Sequence, residues 1–300
     1  MPAERSVVLK RMNAKGKRFD RFPFFVLAAD CEDGTENSLF RKKNKVFSFA
    51  AGRCNIPEIC IVAKGVQMRK IGIICAGDEE LEPFLRRMGK TAVSQKAMLS
   101  FHEGRAAGFS AAALFCGVGK VNAAAATQIL IDDYGVDAVI NAGTAGGMDE
   151  SVGLFDTIVA ETTFYHDVDD GILTEFHPWL PAARFEADPL LLAAAGRVCR
   201  RNAKVRRGLI VTGDRFVDGG MRSLLNREYA PLAADMETAA VAHVCHVNAI
   251  PFLAVRCITD TSVCPGQDAF EKNCARASEI AADIVFEILR ELTVIVPALS

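Results

Sequence analysis

The sequence predicts an α/β protein with one large domain, a three-layer sandwich whose mixed, mostly parallel sheet is flanked by helices. Three observations support this prediction. Half of the 300 residues are apolar, which is enough for a substantial core. Only 8% are aromatic, and a core of small and aliphatic side chains is typical of parallel strands covered by helices. From Met68 onward, short apolar runs alternate with helical segments, and this alternation indicates a largely parallel sheet.

The first predicted elements lie between residues 71 and 134. Residues 71–75 form an apolar run of strand length. The acidic run 78–80 that follows suits the first turn of a helix because of the helix dipole. A second apolar run predicts strand 111–116, and the alanine-rich segment 121–134 predicts the next helix.

The same alternation continues to the carboxyl end of the chain. Apolar runs predict strands 138–141 and 157–162, and segment 188–201 predicts a helix that leads into strand 208–212. The last predicted elements are helix 237–247, strand 252–258 and a long helix over 269–292.

Residues 1–67 differ from the rest in charge. They contain 13 Lys and Arg against 7 Asp and Glu, whereas the remainder contains 22 against 30. A signal peptide would have to use the apolar run 22–29, which is short and begins late, and a basic arm that binds nucleic acid or a partner is a second alternative. Because Met68 directly precedes the first strong strand, we expect a disordered or non-native basic extension over 1–67. The functional domain is then expected over 68–293, with a tail over 294–300.

The composition argues against several classes of protein. Ten cysteines are scattered and form no C-x-x-C pair, so we expect free thiols in a reducing cytoplasm and no metal site. The acidic body of the chain argues against nucleic-acid binding. No apolar stretch approaches the about 18–20 residues that span a bilayer. We therefore expect a cytoplasmic protein that uses neither a cofactor nor a metal.

Polar residues collect where the predicted strands end. Because the carboxyl ends of parallel strands meet at one edge of a sheet, these residues are expected to surround one cleft. The motifs are Asp78-Glu79-Glu80, Gly117-Val118-Gly119-Lys120, Asn141-Ala142-Gly143-Thr144-Ala145-Gly146-Gly147, Thr212-Gly213-Asp214-Arg215-Phe216, Asp235-Met236-Glu237 and Arg256-Cys257-Ile258-Thr259-Asp260. They bring several carboxylates, an arginine, an aromatic ring and two glycine turns to that cleft.

Some of these motifs have simpler explanations when taken singly. The run Gly117-Val118-Gly119-Lys120 fits neither a P-loop, because no Ser or Thr follows the lysine, nor a dinucleotide fingerprint, because the last glycine is missing. The acidic run 78–80 alone is typical of a solvated first turn. Glu237 and Asp260 need more explanation, because a carboxylate beside an apolar segment is costly to bury without a partner.

Taken together in this order, the motifs resemble those of the methylthioadenosine/S-adenosylhomocysteine nucleosidases of the nucleoside phosphorylase superfamily. The resemblance extends over about three quarters of the chain and includes Tyr165-His166-Asp167. It implies the nucleoside phosphorylase-like form of the predicted fold. It also implies an enzyme that hydrolyses the N-glycosidic bond of both nucleosides and releases adenine.

The resemblance implies catalytic roles for two carboxylates. Asp260 matches the acid that protonates adenine at N7, with Thr259 at the position that helps to orient it, and Glu80 matches the base that activates water. A ribosyl cation and a departing adenine need such a pair. For Asp260 to hold a proton near neutral pH its pKa must be raised, which burial beside the apolar base can do.

Other matched positions are implied to bind the nucleoside. Glu237 matches the carboxylate that holds the ribose hydroxyls, and Arg256 would hold the carboxylates in place. The remaining positions are Met236 beneath the sugar, Phe216 stacked on adenine, Val217 bonded to its edge, Gly146 and Thr144 in the glycine turn, and Val118 and Phe270 around the 5′ alkylthio tail.

The resemblance also implies a homodimer. In the family, the loop after Tyr165-His166-Asp167 crosses to the partner subunit and closes the tail pocket, which places the partner loop near Asp170–Leu173 here. That stretch is more polar than the family pattern, so the specificity for the tail stays open. Thr144 also stands where serine is usual, and Asp235 where glutamate is common.

Three alternatives to this function remain. A purine nucleoside phosphorylase of the same fold would need cationic phosphate ligands, yet this chain has Asn141 and Glu80 where related phosphorylases carry arginines. A hydrolase of 6-amino-6-deoxyfutalosine is compatible with the polar loop. A silent nucleoside-binding protein has no use for the three carboxylates Glu80, Glu237 and Asp260.

Overall fold

The structure, a computed structural model, describes residues 68–177, 179–217 and 219–296, so the expectations for residues 1–67 and 297–300 lie outside it. The helices and strands within these ranges are, in chain order, β1 (Lys70–Cys75), α1 (Asp78–Met88), β2 (Ala92–Lys96), β3 (Leu99–Ala106), β4 (Phe109–Phe115), α2 (Lys120–Tyr134), β5 (Ala138–Gly147), β6 (Thr157–Tyr165), α3 (Asp170–Thr174), β7 (Phe185–Glu186), α4 (Pro189–Arg201), β8 (Val205–Thr212), α5 (Gly219–Tyr229), β9 (Ala233–Asp235), α6 (Thr238–Asn248), β10 (Phe252–Asp260) and α7 (Gln267–Ile295).

The described strands form one mixed sheet, in the order β10-β6-β8-β9-β5-β1-β4-β3-β2, with β7 beside β6. Parallel pairing joins β4, β1, β5 and β10 through the centre, and joins β6, β8 and β9. Antiparallel pairing joins β10 to β6, β5 to β9, and the β2-β3-β4 meander. Because β10 pairs with both β6 and β5, five strands close into a ring, which the sequence did not predict.

Helices cover both faces of the sheet. Ile71 and Ile73 of β1 face a core shared with α1, α4 and α7, whereas Ile74 faces a second core that contains residues of α2 and α6. Alternate side chains of a strand point to opposite faces, so strands buried on both faces are apolar throughout. The predicted three-layer α/β fold is confirmed. Within the described ranges, no helix combines the length and apolarity needed to cross a membrane.

Local chemistry sets the ends of several helices. Helix α4 begins at Pro189 because the Asp188 carboxylate accepts hydrogen bonds from the N–H groups of Leu190 and Leu191, which are unpaired in a first turn. Helix α2 ends at Gly135, whose φ of 58° is left-handed; glycine adopts this conformation without a steric penalty.

The sequence predicted a turn in the glycine-rich run 141–147, and this prediction is wrong because the run is part of a strand. Strand β5 continues to Gly147 and pairs with β10 as far as Asp260. The physical reason is that its backbone is paired with neighbouring strands, with β10 through Gly146 and with β9 at Gly146 and Gly147. Strand β5 therefore runs straight through the candidate site.

Candidate active site

The carboxylate of Glu80 is buried at the start of α1, and four hydrogen bonds hold it. Oε2 accepts from the backbone N–H groups of Ala76 (2.8 Å) and Gly77 (3.3 Å). Oε1 accepts from the backbone N–H and the hydroxyl of Thr144, both at 2.7 Å. Glu80 therefore does not lie in a solvated first turn, the simpler explanation of the acidic run, because only 4% of it is exposed.

Two glycines of β5 make room for two carboxylates. A Cβ atom at Gly143, whose φ is +150°, would lie 2.5 Å from the carboxylate of Glu80. A Cβ atom at Gly146 would lie 3.3 Å from the carboxylate oxygens of Asp260. Glu80 and Asp260 are thus brought to the same short stretch of one strand, as the strand-end argument predicts.

Arg256 organises a second group of carboxylates. It is fully buried on β10, with Nε 2.8 Å from Oδ2 of Asp235 and Nη2 3.2 Å from Oε2 of Glu237. Nη2 also donates to Oδ1 of Asn141 at 2.8 Å. The structure therefore places Arg256 where the resemblance implied, holding carboxylates in position.

Glu237 is the less neutralised of the two carboxylates. Arg256 makes its shorter contact with Asp235, which also accepts hydrogen bonds from the hydroxyls of Thr212 and Thr238. Glu237 is 3% exposed and receives, besides Arg256, one backbone N–H from Gly119 at 2.9 Å. Burial raises the pKa of Glu237 above its usual value. The positive charge of Arg256 opposes this shift, and the negative charge of Asp235 reinforces it.

Asp260, at the end of β10, is 2% exposed. Its Oδ1 accepts from the hydroxyl of Thr259 at 3.3 Å, and its Oδ2 is 3.1 Å from Nη2 of Arg222. Burial raises the pKa of Asp260, whereas Arg222 and the Thr259 hydroxyl lower it. The net shift of the pKa of Asp260 is upward, which is the direction that a proton donor requires.

Arg222 is a site residue that the sequence analysis missed. It lies on α5, a helix that was not predicted, and only 6% of it is exposed. Nothing in the surrounding sequence distinguishes it from a solvated arginine on a helix. Only the three-dimensional structure, which brings this side chain of α5 to the end of β10, reveals it.

A surface cluster connects three loops that border the site. The ammonium group of Lys120 lies 2.7 Å from Oδ1 of Asp167 and 3.5 Å from Oδ2 of Asp214. Asp214 in turn accepts from the backbone N–H of Lys120 at 2.9 Å. This cluster joins the loop that carries Val118 to the loop that carries Phe216.

The predicted pocket-lining residues are apolar side chains that are partly or largely exposed. Phe216 and Val118 are 48% and 59% exposed, and Met236 and Phe270 are partly exposed. Val217 packs on a small core formed by residues of β6, β8 and α5. Exposed apolar side chains beside buried carboxylates suit a ligand with an aromatic base and an apolar tail.

The arrangement combines three buried carboxylates with fixed hydrogen-bond donors. Such a site can donate a proton, accept a proton and bind hydroxyl groups. Among the described residues, no group of three or more His, Cys, Asp and Glu side chains is arranged to hold a metal ion.

Comparison with known proteins identifies the family of this chain. The family model for the phosphorylase superfamily matches residues 70–290. The 5′-methylthioadenosine/S-adenosylhomocysteine nucleosidase of Actinobacillus succinogenes is 34% identical over 228 residues, which covers 74% of this chain and 99% of that protein.

Two solved structures extend the comparison. The methylthioadenosine/S-adenosylhomocysteine nucleosidase of Colwellia psychrerythraea, in complex with adenine, has a TM-score of 0.68 and 33% identity, covering 75% of this chain and 96% of that one. The futalosine hydrolase of Helicobacter pylori has a TM-score of 0.68 and 27% identity, covering 75% and 98%.

The resemblance inferred from the ordered motifs is therefore confirmed. The matched region begins with β1 and ends within α7, so it contains all the carboxylates of the site. The chain belongs to the phosphorylase superfamily and, within it, to the family of 5′-methylthioadenosine/S-adenosylhomocysteine nucleosidases.

Proposed function

We propose that the protein hydrolyses the N-glycosidic bond of 5′-methylthioadenosine and S-adenosylhomocysteine and releases adenine. One observation carries this proposal. Glu80 on α1 and Asp260 at the end of β10 are both buried, and their carboxylates approach β5 at Gly143 and Gly146. The adenine complex of the Colwellia enzyme supports adenine as the purine that is released.

Asp260 is the proposed acid. As the bond between C1′ and N9 breaks, adenine leaves as an anion unless it is protonated, and Asp260 donates its proton to N7. Burial favours the protonated form of this carboxyl group. Thr259 orients the carboxyl group through its hydroxyl.

Glu80 is the proposed base. It accepts a proton from water as the water oxygen forms a bond to C1′, so the products are adenine and the free thioribose. The hydrogen bonds from Thr144, Ala76 and Gly77 fix the carboxylate in one orientation. Such preorganisation avoids a reorganisation cost during reaction.

The remaining residues are proposed to bind the nucleoside. Glu237, held by Arg256, binds the ribose hydroxyls, with Met236 beneath the sugar. Phe216 stacks on the base while the backbone of Val217 bonds to its edge, and Gly146 lets the ligand approach β5. The 5′ tail lies between Val118 and Phe270.

Water rather than phosphate is the proposed nucleophile. A phosphate dianion would approach Glu80 in a partly desolvated cleft, where repulsion between like charges is stronger than in water. Asn141 offers no charge to offset this repulsion, because its side chain is a neutral amide. Its amide group is also already bonded to Arg256, Thr238 and the carbonyl of Ile74.

The phosphate dependence of the reaction tests this proposal. We expect adenine release from methylthioadenosine in phosphate-free buffer, with methylthioribose as coproduct. Adding millimolar phosphate should leave the rate unchanged or slightly lower. A reaction that requires phosphate and yields the sugar 1-phosphate would show that the protein is a phosphorylase, and absence of adenine release would favour a binding protein.

A second candidate substrate is 6-amino-6-deoxyfutalosine. The similarity to a futalosine hydrolase favours it, and the same acid and base would serve, since the bond broken is again the one to adenine. Comparing kcat/KM for this nucleoside and for methylthioadenosine under identical conditions ranks the two substrates.

The protein is further proposed to be a homodimer. Large apolar side chains lie more than half exposed near the mouth of the site, and clusters of this kind mark interfaces. They are Val118, Val121, Ile172, Phe176 and Trp179. The Lys120–Asp167 ion pair joins the two segments that carry them, and the partner's loop near Asp170–Leu173 would close the 5′ pocket.

Sedimentation of the protein tests this assembly. We expect a particle of twice the mass of the chain, because a patch of this kind is costly to leave in water. Replacing Val121 with aspartate should produce monomers and raise KM, whereas the matched change of exposed Val247 on α6 should do neither. A fully active monomer would contradict the proposal.

The nucleosidase domain is proposed to comprise residues 68–293, since the family match begins at residue 70 and ends at residue 290. A cytoplasmic location is proposed on the evidence of the cysteines. All seven cysteines within the described ranges are free thiols, as is usual in a reducing compartment.

A further inference from the structure

Arg222 makes a close contact with the proposed acid. Its guanidinium Nη2 lies 3.1 Å from Oδ2 of Asp260, and both side chains are more than nine-tenths buried. Arg222 lies on α5, which follows the loop of Phe216 and Val217 after only a few residues. The loop that is proposed to bind adenine therefore leads directly into the helix that carries Arg222, the residue in contact with the acid.

Arg222 contacts the oxygen of Asp260 from which the proton would pass to the purine. Oδ1 of Asp260 faces the hydroxyl of Thr259, and the backbone of Gly146 lies against the carboxyl group. Oδ2, the oxygen left for a purine nitrogen, faces Arg222. A purine that takes its proton along the direction occupied by Nη2 must displace the guanidinium.

Arg222 is also incompletely paired in this position. Its Nη1 is buried and has no hydrogen-bond partner within the part of the chain that the structure describes. A buried guanidinium N–H without an acceptor is unfavourable. Nη1 of Arg256 is likewise buried without a partner, but Arg256 is held by Asp235, Glu237 and Asn141 together, whereas Asp260 is the acceptor that the described part of the chain gives to Arg222.

We propose that Arg222 is a positioning residue that keeps Asp260 ionised in the empty site and leaves it when the purine binds. Asp260 would then take up a proton from solvent water as the guanidinium leaves and the purine binds, before the purine and Phe216 exclude water. This inference rests on the proposed function, because it assigns the acid to Asp260.

Arg222 is the charged group that acts on the pKa of Asp260, so a substitution at this position can measure the effect of that charge. The uncharged groups around the carboxyl are Thr259 on the same strand, Gly146 on β5, and Asn273 on α7, which donates to the carbonyl of Thr259 at 2.8 Å. The positive charge of Arg222, from α5, lowers the pKa of Asp260 against the effect of burial. Removing that charge must therefore raise the pKa of Asp260 in the empty site.

The experiment compares pH profiles of the full-length protein and its Arg222→Met variant. The profile of kcat/KM reports groups of the free enzyme, and that of kcat reports groups of the complex. We expect the fall of kcat/KM at high pH to move upward by about one pH unit or more in Arg222→Met, as for a carboxylate that loses an adjacent arginine. The kcat profile should not move. Arg222→Lys should behave like the parent, and so should Arg227→Met, which changes an exposed arginine of the same helix.

Two outcomes overturn the proposal. If neither profile moves, Arg222 has only a structural role; if both move equally, it stays on Asp260 in the complex. Arg222→Gln serves the same comparison if the methionine variant does not fold. Carbon-13 NMR titration of the Asp260 carboxyl in the empty protein, identified by its absence in Asp260→Asn, needs no turnover. An inactive parent would contradict the proposed function, whereas an unchanged titration would contradict the role of Arg222.

Discussion

Replacing Glu80 with glutamine is expected to lower kcat by at least about a hundredfold, the lower end of the effect of a general base. This corresponds to about 2.7 kcal/mol of barrier. The amide cannot accept the proton of the attacking water, whereas the side chain keeps nearly the same shape. The measurement is the rate of adenine release from methylthioadenosine at saturating substrate.

The hydrogen bonds of Glu80 require a control for stability. All four come from donors, so the NH₂ group of glutamine must face an N–H of either Thr144 or Ala76. Two donors facing each other cost about 1–3 kcal/mol, and the melting temperature should fall accordingly. Glu79→Gln makes the same chemical change one position earlier, at an exposed residue, and should leave both kcat and stability unchanged. Near-normal turnover by a folded Glu80→Gln protein would refute the role of the base.

Much of the fold was predictable because its central strands are buried on both faces. Strands β1, β4 and β10 read as apolar runs in the sequence. Strand β2 was missed because all five of its residues are exposed, and β9 because it has only three residues. The closed ring depends on β10 pairing with both β5 and β6, a long-range choice that no local pattern encodes.

The gathering of polar residues was predictable because their motifs stand where strands end, whereas the catalytic and binding roles of these residues stay predictions. Glu80, Glu237 and Asp260 are all buried, and their partners Thr144, Arg256 and Thr259 contact them. The apolar positions were named only through the resemblance to the family. Arg222 could not be predicted, since its importance arises from a long-range contact with Asp260 and not from its neighbours in sequence.

Replacing Asp260 with asparagine is expected to lower kcat by at least about a hundredfold, because the amide has no proton that it can transfer to N7. The loss should be smaller for a nucleoside whose leaving group is stable as an anion, such as a nitrophenyl riboside, because such a group departs without protonation. Asp268→Asn, at an exposed position in the first turn of α7, is the matched control and should keep parental activity.

Loss of stability must be separated from loss of the acid in this variant. Asparagine at position 260 leaves Arg222 buried without its counter-charge, and breaking a buried pair in this way costs about 3–5 kcal/mol. The double variant Asp260→Asn/Arg222→Met removes that charge as well. We expect it to regain most of the lost stability in a denaturant titration but none of the lost turnover of methylthioadenosine. Recovery of turnover together with stability would mean that the single variant was inactive because it was misfolded, and that Asp260 does not supply the proton.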